Sequence, residues 1–188
     1  MSYWYYEDDR IMEKYSKGLS RSGHPITTIV LHAAMGRAKG IIQWMLDGGV
    51  MPDGSKREKD YYNAIGMFHF INDRDGTIYR VIDEINFVWG SQAKDEEVGI
   101  VAIENCKINN DNSDTLTEAQ YQSLASFIYN LRMKYPTIYK IRTHDYYRAR
   151  IGIKPKPCPG NFDWTLFENN MEFLNMKLTK IGECDYKI

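Results

Sequence analysis

Four histidines and three cysteines are the borderline and soft donors available in this 188-residue chain. Two of the histidines stand where chemistry would want them. His32 closes the β-branched, apolar run that begins at Ile26, and His144 follows Tyr139-Lys140-Ile141-Arg142-Thr143. Both positions are ends of strand-like segments, where side chains reach a sheet edge. Cys158 lies in Lys154-Pro155-Lys156-Pro157-Cys158-Pro159-Gly160, and the prolines fix the backbone φ angles around it. Imidazole and thiolate are good zinc ligands, and three protein ligands with one open position is the arrangement of a catalytic zinc. The bound water then has a pKa near ~7 and is a nucleophile at neutral pH. Residue types alone leave the alternative open: two strand-end histidines with ordinary hydrogen bonds and a buried thiol. No local metal signature such as HExxH or CxxC decides between them.

A hydrolase of this kind also needs a proton carrier and an electrophilic stabiliser. Glu104 ends the apolar run Val98-Gly99-Ile100-Val101-Ala102-Ile103, and partial burial there would raise its pKa toward the working range. Lys156, two residues before Cys158, is within reach of anything bound beside that thiol. The alternatives are a strand-end glutamate paired with a surface lysine, and a solvated loop lysine.

Elements must position these groups. Residues 3–18 read as a short Tyr-rich helix, 26–32 as a strand, and 37–47 as a helix stopped by Gly48-Gly49. Residues 50–62 read as an exposed polar loop or a substrate-facing lid. Strand-like residues 66–71 and 77–82 flank Asp75-Gly76, a strong hairpin dipeptide. Residues 98–104 form another buried-strand pattern. Thr117 and Gln120 have capping-box spacing. Tyr121, Leu124, Ala125, Ile128 and Leu131 follow as one apolar stripe of a helix. Residues 139–142 fit a short strand, and 163–177 a final helix with Asp163 as N-cap. Alternating strands and helices predict a single α/β domain: a central mixed β-sheet flanked by helices, with the site at a sheet edge in an open groove.

Composition narrows the function classes. Lys and Arg number 24 against 25 Asp and Glu, for a net charge of −1. That balance argues against a dedicated nucleic-acid binder. Apolar residues make up 43 % and aromatic ones 13 %, which argues against disorder. Three widely spaced cysteines are not a disulfide framework. No apolar run approaches the roughly 18 residues of a membrane span. The first ten residues lack the basic and apolar regions of a secretory signal, so synthesis in a cytoplasm is expected, and action at a cell wall would need a route other than a classical signal.

Several stretches, taken in order, resemble the zinc-dependent type 2 N-acetylmuramoyl-L-alanine amidases. That group includes phage lysozyme-amidases, cytosolic muropeptide-recycling amidases and peptidoglycan recognition proteins. Thr28-Ile29-Val30-Leu31-His32 resembles the family's first strand with its zinc histidine. Phe68-His69-Phe70-Ile71-Asn72-Asp73-Arg74-Asp75-Gly76-Thr77-Ile78 resembles its hairpin. Val101-Ala102-Ile103-Glu104-Asn105 is similar to the strand whose glutamate is catalytic in some members. Leu116 to Tyr121 resembles the start of the long family helix. Thr143-His144-Asp145 and Lys156-Pro157-Cys158-Pro159-Gly160 resemble the second histidine and the segment that supplies the lysine and third ligand.

The resemblance covers residues 26–168, with 1–25 as a helical extension and 169–188 as the helix end and tail. It implies Zn²⁺ held by His32, His144 and Cys158, with Glu104 and Lys156 catalytic. Phe68, Trp89 and Gln92 would contact the substrate, and so would His69 as a pocket residue unless its role is structural. Phe68 stands where many members have a catalytic Tyr, and Gln92 where relatives often have a His that faces substrate. The implied protein is a monomeric amidase acting on peptidoglycan, most simply a phage endolysin. A cytosolic recycling amidase, a non-catalytic muropeptide-binding domain and a phage regulatory protein on the same fold are the alternatives.

Overall fold

The computed structural model describes residues 5–7, 9–15, 19–48, 67–88, 90, 93–109, 113–152 and 158–188. Its centre is a pair of long parallel strands, β3 (Thr28–Met35) and β7 (Ile100–Lys107), which the chain makes from β-branched, apolar residues. All eight residues of β7 are buried. A strand covered on both faces reads as a continuous apolar run rather than an alternating one.

The remaining strands add outward from this pair. On one side stand β4 (Phe70–Asn72), β5 (Ile78–Arg80) and β1 (Tyr6–Glu7). On the other stand β8 (Lys140–Thr143), β10 (Asp185–Lys187) and β9 (Thr179–Gly182). The eight-stranded order is β1-β5-β4-β7-β3-β8-β10-β9. The sheet is mixed: β4, β7, β3 and β8 are mutually parallel, whereas β4–β5, β8–β10 and β10–β9 are antiparallel. A separate two-stranded ribbon joins β2 (Leu19–Ser20) to β6 (Asn86–Phe87).

Helices cover both faces. On one, α3 (Glu118–Lys134) and α5 (Trp164–Phe173) pack Tyr121, Leu124, Ile128, Phe167 and Met171 against Ile29, Leu31, Val101 and Ile103. On the other, α1 (Asp9–Tyr15), α2 (Ala38–Leu46) and α4 (His144–Arg150) set Ile11, Ile41, Ile42, Met45 and Tyr147 against Val30, Ile71 and Ala102. Each fully buried side chain of this size contributes roughly 1.5–3 kcal/mol of transfer free energy. The α3 capping box is complete: Thr117 accepts from the Gln120 N–H and the Gln120 side chain accepts from the Thr117 N–H. At the β4–β5 turn, Gly76 has φ +83°, and a Cβ there would lie 2.7 Å from the Ala119 carbonyl of α3. Glycine is required twice over, by conformation and by space.

The two ends of the chain differ from the sequence-based expectation. Among the described residues the N-terminal helix covers Asp9–Tyr15, and Tyr6 and Glu7, expected to be helical, pair with Tyr79 and Arg80 at the sheet margin. The last helix starts at Asp163 as expected but stops at Phe173, where Asn175 adopts φ +58°. Asparagine tolerates that left-handed conformation. The segment beyond is not a tail: it turns into the β9–β10 hairpin. There Tyr186 stacks on Trp164 at 4.0 Å. Among the described residues, no helix is long and apolar enough to cross a membrane.

Candidate metal and proton-transfer site

The site forms toward the C-terminal ends of β3 and β7, each of which runs three residues past His32 or Glu104 rather than closing there, and just beyond β8. Open α/β sheets commonly place ligands at such ends. His32 on β3 is the ladder partner of Glu104 on β7. Parallel partners point to the same face, so imidazole and carboxylate stand side by side on the α2 face. On the other side of β3, Leu31 pairs with Thr143. The next residue, His144, is the first of α4 rather than the last of a strand. Its ring centroid lies 4.6 Å from that of His32.

The third group comes from a different part of the chain. The Ala33 N–H of β3 points at Cys158 Sγ, 3.4 Å away. The Cys158 N–H donates to Asp145 Oδ2 at 3.0 Å. One ligand atom each from His32, His144 and Cys158 lies within 4.8 Å of the other two. One ion bonded at about 2.0–2.3 Å to each spans this spacing with small side-chain rotations.

Electrostatics favour the ligand form of both histidines. Burial, and then the neighbouring His144, hold His32 well below the usual imidazole range. Burial, and then the Arg148 guanidinium, push His144 down to about 4. Both rings are therefore neutral at pH 7, as metal ligation requires. The Nε2 atom of His144 is buried and has no hydrogen-bond partner among the described residues. A buried polar atom without a partner is costly, and a metal bond would satisfy it. Two nitrogens and one sulfur form a donor set that suits zinc.

Glu104 is 5 % exposed, shielded yet adjacent to His32. Phe68, expected to contact substrate, and His69, expected as a pocket or structural residue, are 3 % and 0 % exposed, which corrects the expected substrate contact of both. Phe68 packs in the α2-side core. The His69 ring is used within the fold: Nδ1 accepts the Ala102 N–H, and Nε2 lies 3.0 Å from the Asn86 carbonyl oxygen. Burial, followed by the charge of Arg21, pushes its pKa down to about 3. Lys156, Trp89, Gln92 and the 50–62 loop lie outside the described residues.

Sequence reasoning missed the supports. Asn105 donates from its side chain to the His32 carbonyl at 2.8 Å, and its own carbonyl accepts from Asn72 Nδ2 at 2.9 Å. Gln120, already engaged in the α3 cap, also donates to the backbone carbonyls of Asn72 and Cys106. A chain of buried amides thus connects the α3 N-terminus to the β3 histidine. Asn72, Asn105 and Gln120 inside otherwise apolar segments were the available signal, because buried amides must find partners.

Comparison with known proteins agrees with this architecture. Residues 22–161 match the family model described as N-acetylmuramoyl-L-alanine amidase. Three solved structures are similar over most of their length. The N-acetylmuramoyl-L-alanine amidase LysC from Clostridium intestinale URNW is 24 % identical, with 92 % of this chain and 97 % of that one covered, at a TM-score of 0.59. The endolysine N-acetylmuramoyl-L-alanine amidase LysCS from the same organism is 25 % identical, covering 92 % and 95 %, also at 0.59. A selenomethionine derivative of AmpD is 20 % identical, covering 90 % and 96 %, at 0.62. A search of curated proteins finds no match.

Proposed function

Because the chain belongs to the N-acetylmuramoyl-L-alanine amidase family, we propose that it is a zinc-dependent hydrolase that works as a phage endolysin. Its substrate would be the amide joining the lactyl group of N-acetylmuramic acid to L-alanine in peptidoglycan. The convergence of His32, His144 and Cys158 beside a carboxylate in ladder register carries this reading. The endolysin assignment draws on the 25 % identical structure described as an endolysine.

His32, His144 and Cys158 would hold the ion. When bound, zinc supplies a Lewis acid and lowers the pKa of a coordinated water toward ~7. Glu104 accepts a proton from the attacking water and returns it to the amine of L-alanine as the C–N bond breaks. A carboxylate sheltered from bulk solvent keeps that proton available. Lys156 is assigned, through the family resemblance, to the oxyanion that develops on the scissile carbonyl. The products are a lactyl carboxylate and a stem peptide with a free α-amine.

The test uses the full chain, zinc-loaded or chelated, on purified sacculi and on soluble muropeptides. Release of new L-alanine amino termini from sacculi, abolished by chelator, is expected. Turnover of soluble muropeptides alone would replace the endolysin with a recycling amidase. Absence of new amino termini from either substrate would overturn the amidase reading.

A further inference from the structure

We propose that Lys107 is a positioning residue for the metal ligands, holding the segment that carries Cys158 to the end of the strand that carries Glu104. The inference rests on the metal reading above.

The Lys107 side chain is 0 % exposed. Lysine is almost never fully buried unless its ammonium is paired, so its surroundings show what the charge holds. Its Nζ donates to the Pro159 carbonyl at 3.2 Å, and Asp114 Oδ1 lies 3.9 Å away. Pro159 directly follows Cys158. Asp114 is itself fixed, because its carboxylate accepts the N–H groups of Ile108 and Asn109 at 2.7 and 3.3 Å. The Lys107 backbone is tied as well: its carbonyl accepts from the Gly36 N–H at 2.9 Å and from Arg74 Nη2 at 2.6 Å. The ammonium therefore projects from a backbone fastened to the ends of β3 and of the β4–β5 hairpin.

Cys158 and its neighbour are consequently held at three points from three elements. The Ala33 N–H of β3 meets the sulfur, Asp145 of α4 takes the Cys158 N–H, and Lys107 of β7 takes the next carbonyl. The first two contacts involve residues adjacent to His32 and His144. Lys107 adds the strand of Glu104, so all the chemical groups share one frame. Groups that orient the metal-binding side chains typically account for 10–100-fold in metal affinity. A lysine that merely filled the interior would destabilise the fold without acting on the metal.

The experiment compares wild type, Lys107→Met and Lys107→Arg as full chains. Zinc affinity is measured by competition with a chromophoric chelator. Cobalt(II) substitution gives a second readout through the thiolate-to-metal charge-transfer band. Lys107→Met should bind zinc 10–100-fold more weakly and show a diminished charge-transfer band, with Lys107→Arg recovering part of both. A folded Lys107→Met with wild-type zinc affinity and an unchanged band would overturn the proposal. If Lys107→Met does not fold, Asp114→Asn loosens the ammonium without removing it and should lower zinc affinity several-fold. Unchanged affinity in that variant would overturn the proposal equally. Failure of the wild-type chain to bind either metal would instead sink the metal reading itself.

Discussion

At the scale of single residues, the chemistry depends on groups that ladder register rather than sequence proximity brings together. His32 and Glu104 are partners across β3 and β7, so the carboxylate proposed as proton carrier is placed by the same hydrogen bonds that build the sheet. Replacing Glu104 by Gln keeps shape and ladder but removes the base. It should lower kcat by about 10²–10⁴-fold while zinc per chain, measured by atomic emission, stays at wild type. Activity within a few-fold of wild type would assign the base elsewhere. Cys158→Ser tests the other half of the site. Serine is a poor zinc ligand beside thiolate, so bound zinc should drop. The stabilisation that added zinc gives the wild type, expected because an ion binds the folded state alone, should shrink with it. Thermal melts with and without zinc read this out, and an undiminished zinc-induced shift removes Cys158 from the ligand set. The candidate ligands were legible because histidine and cysteine are scarce here, although His32 lies inside β3 and His144 opens α4 rather than either closing a strand. Phe68 was misread because a motif reports residue type and not burial, and His69 takes the structural one of its two expected roles. Both side chains are buried, and the His69 ring is engaged by Ala102 and Asn86.

At the scale of elements, legibility followed the strength of the local signal. The central strands announced themselves as uninterrupted apolar runs, the hairpin by Asp75-Gly76, and α3 by Thr117 and Gln120. The α3 cap does more than start a helix, because Gln120 also holds Asn72 and Cys106. Thr117→Ala removes the acceptor of the Gln120 N–H and should cost about 1 kcal/mol, as N-cap truncations do. A denaturant midpoint shift without a change in m-value is the expected result. A loss near zero would mean that tertiary packing alone fixes this end of α3. The short strands β1, β2 and β6 were not legible, since two residues carry no periodicity. The β9–β10 hairpin was hidden for another reason. Every residue of β9 is exposed, so no buried face imposes a pattern, and the hairpin is placed by pairing of β10 with β8 and by Tyr186 on Trp164. The Arg142–Asp185 ion pair joins the same two strands.

At the scale of the whole molecule, the fold carries a definite sensitivity to acid. Glu84 is 1 % exposed and bonded by Arg80, Lys134 and Tyr135, which joins the region after β5 to the C-terminal turn of α3. Burial opposes its ionisation, but the bonds from Lys134 and Arg80 prevail and hold it at about 2 rather than 4.5. Burial, followed by the Arg21 charge, holds His69 at about 3 rather than 6.5. In both cases the unfolded chain binds the proton more readily than the folded one, so stability rises with pH over the interval between the two values. The His69 contribution is complete above pH 6.5 and is lost as pH falls toward 3. The Glu84 contribution is complete above 4.5 and is lost as pH falls toward 2. Without metal, the depressed His32 and His144 add to His69, so unfolding free energy should decline from pH 6.5 downward, with Glu84 adding to the decline below 4.5. The Glu84 part is on the order of 3 kcal/mol, at about 1.4 kcal/mol per pKa unit. Urea unfolding of the chelator-treated protein at half-unit pH steps measures the curve. Glu84→Gln separates this carboxylate from the histidines: it should be less stable at pH 7, match the wild-type slope between 6.5 and 5, and lose the added decline below 4.5. Parallel curves for the variant and wild type below pH 4.5 would place the acid-sensitive group outside the Glu84 cluster.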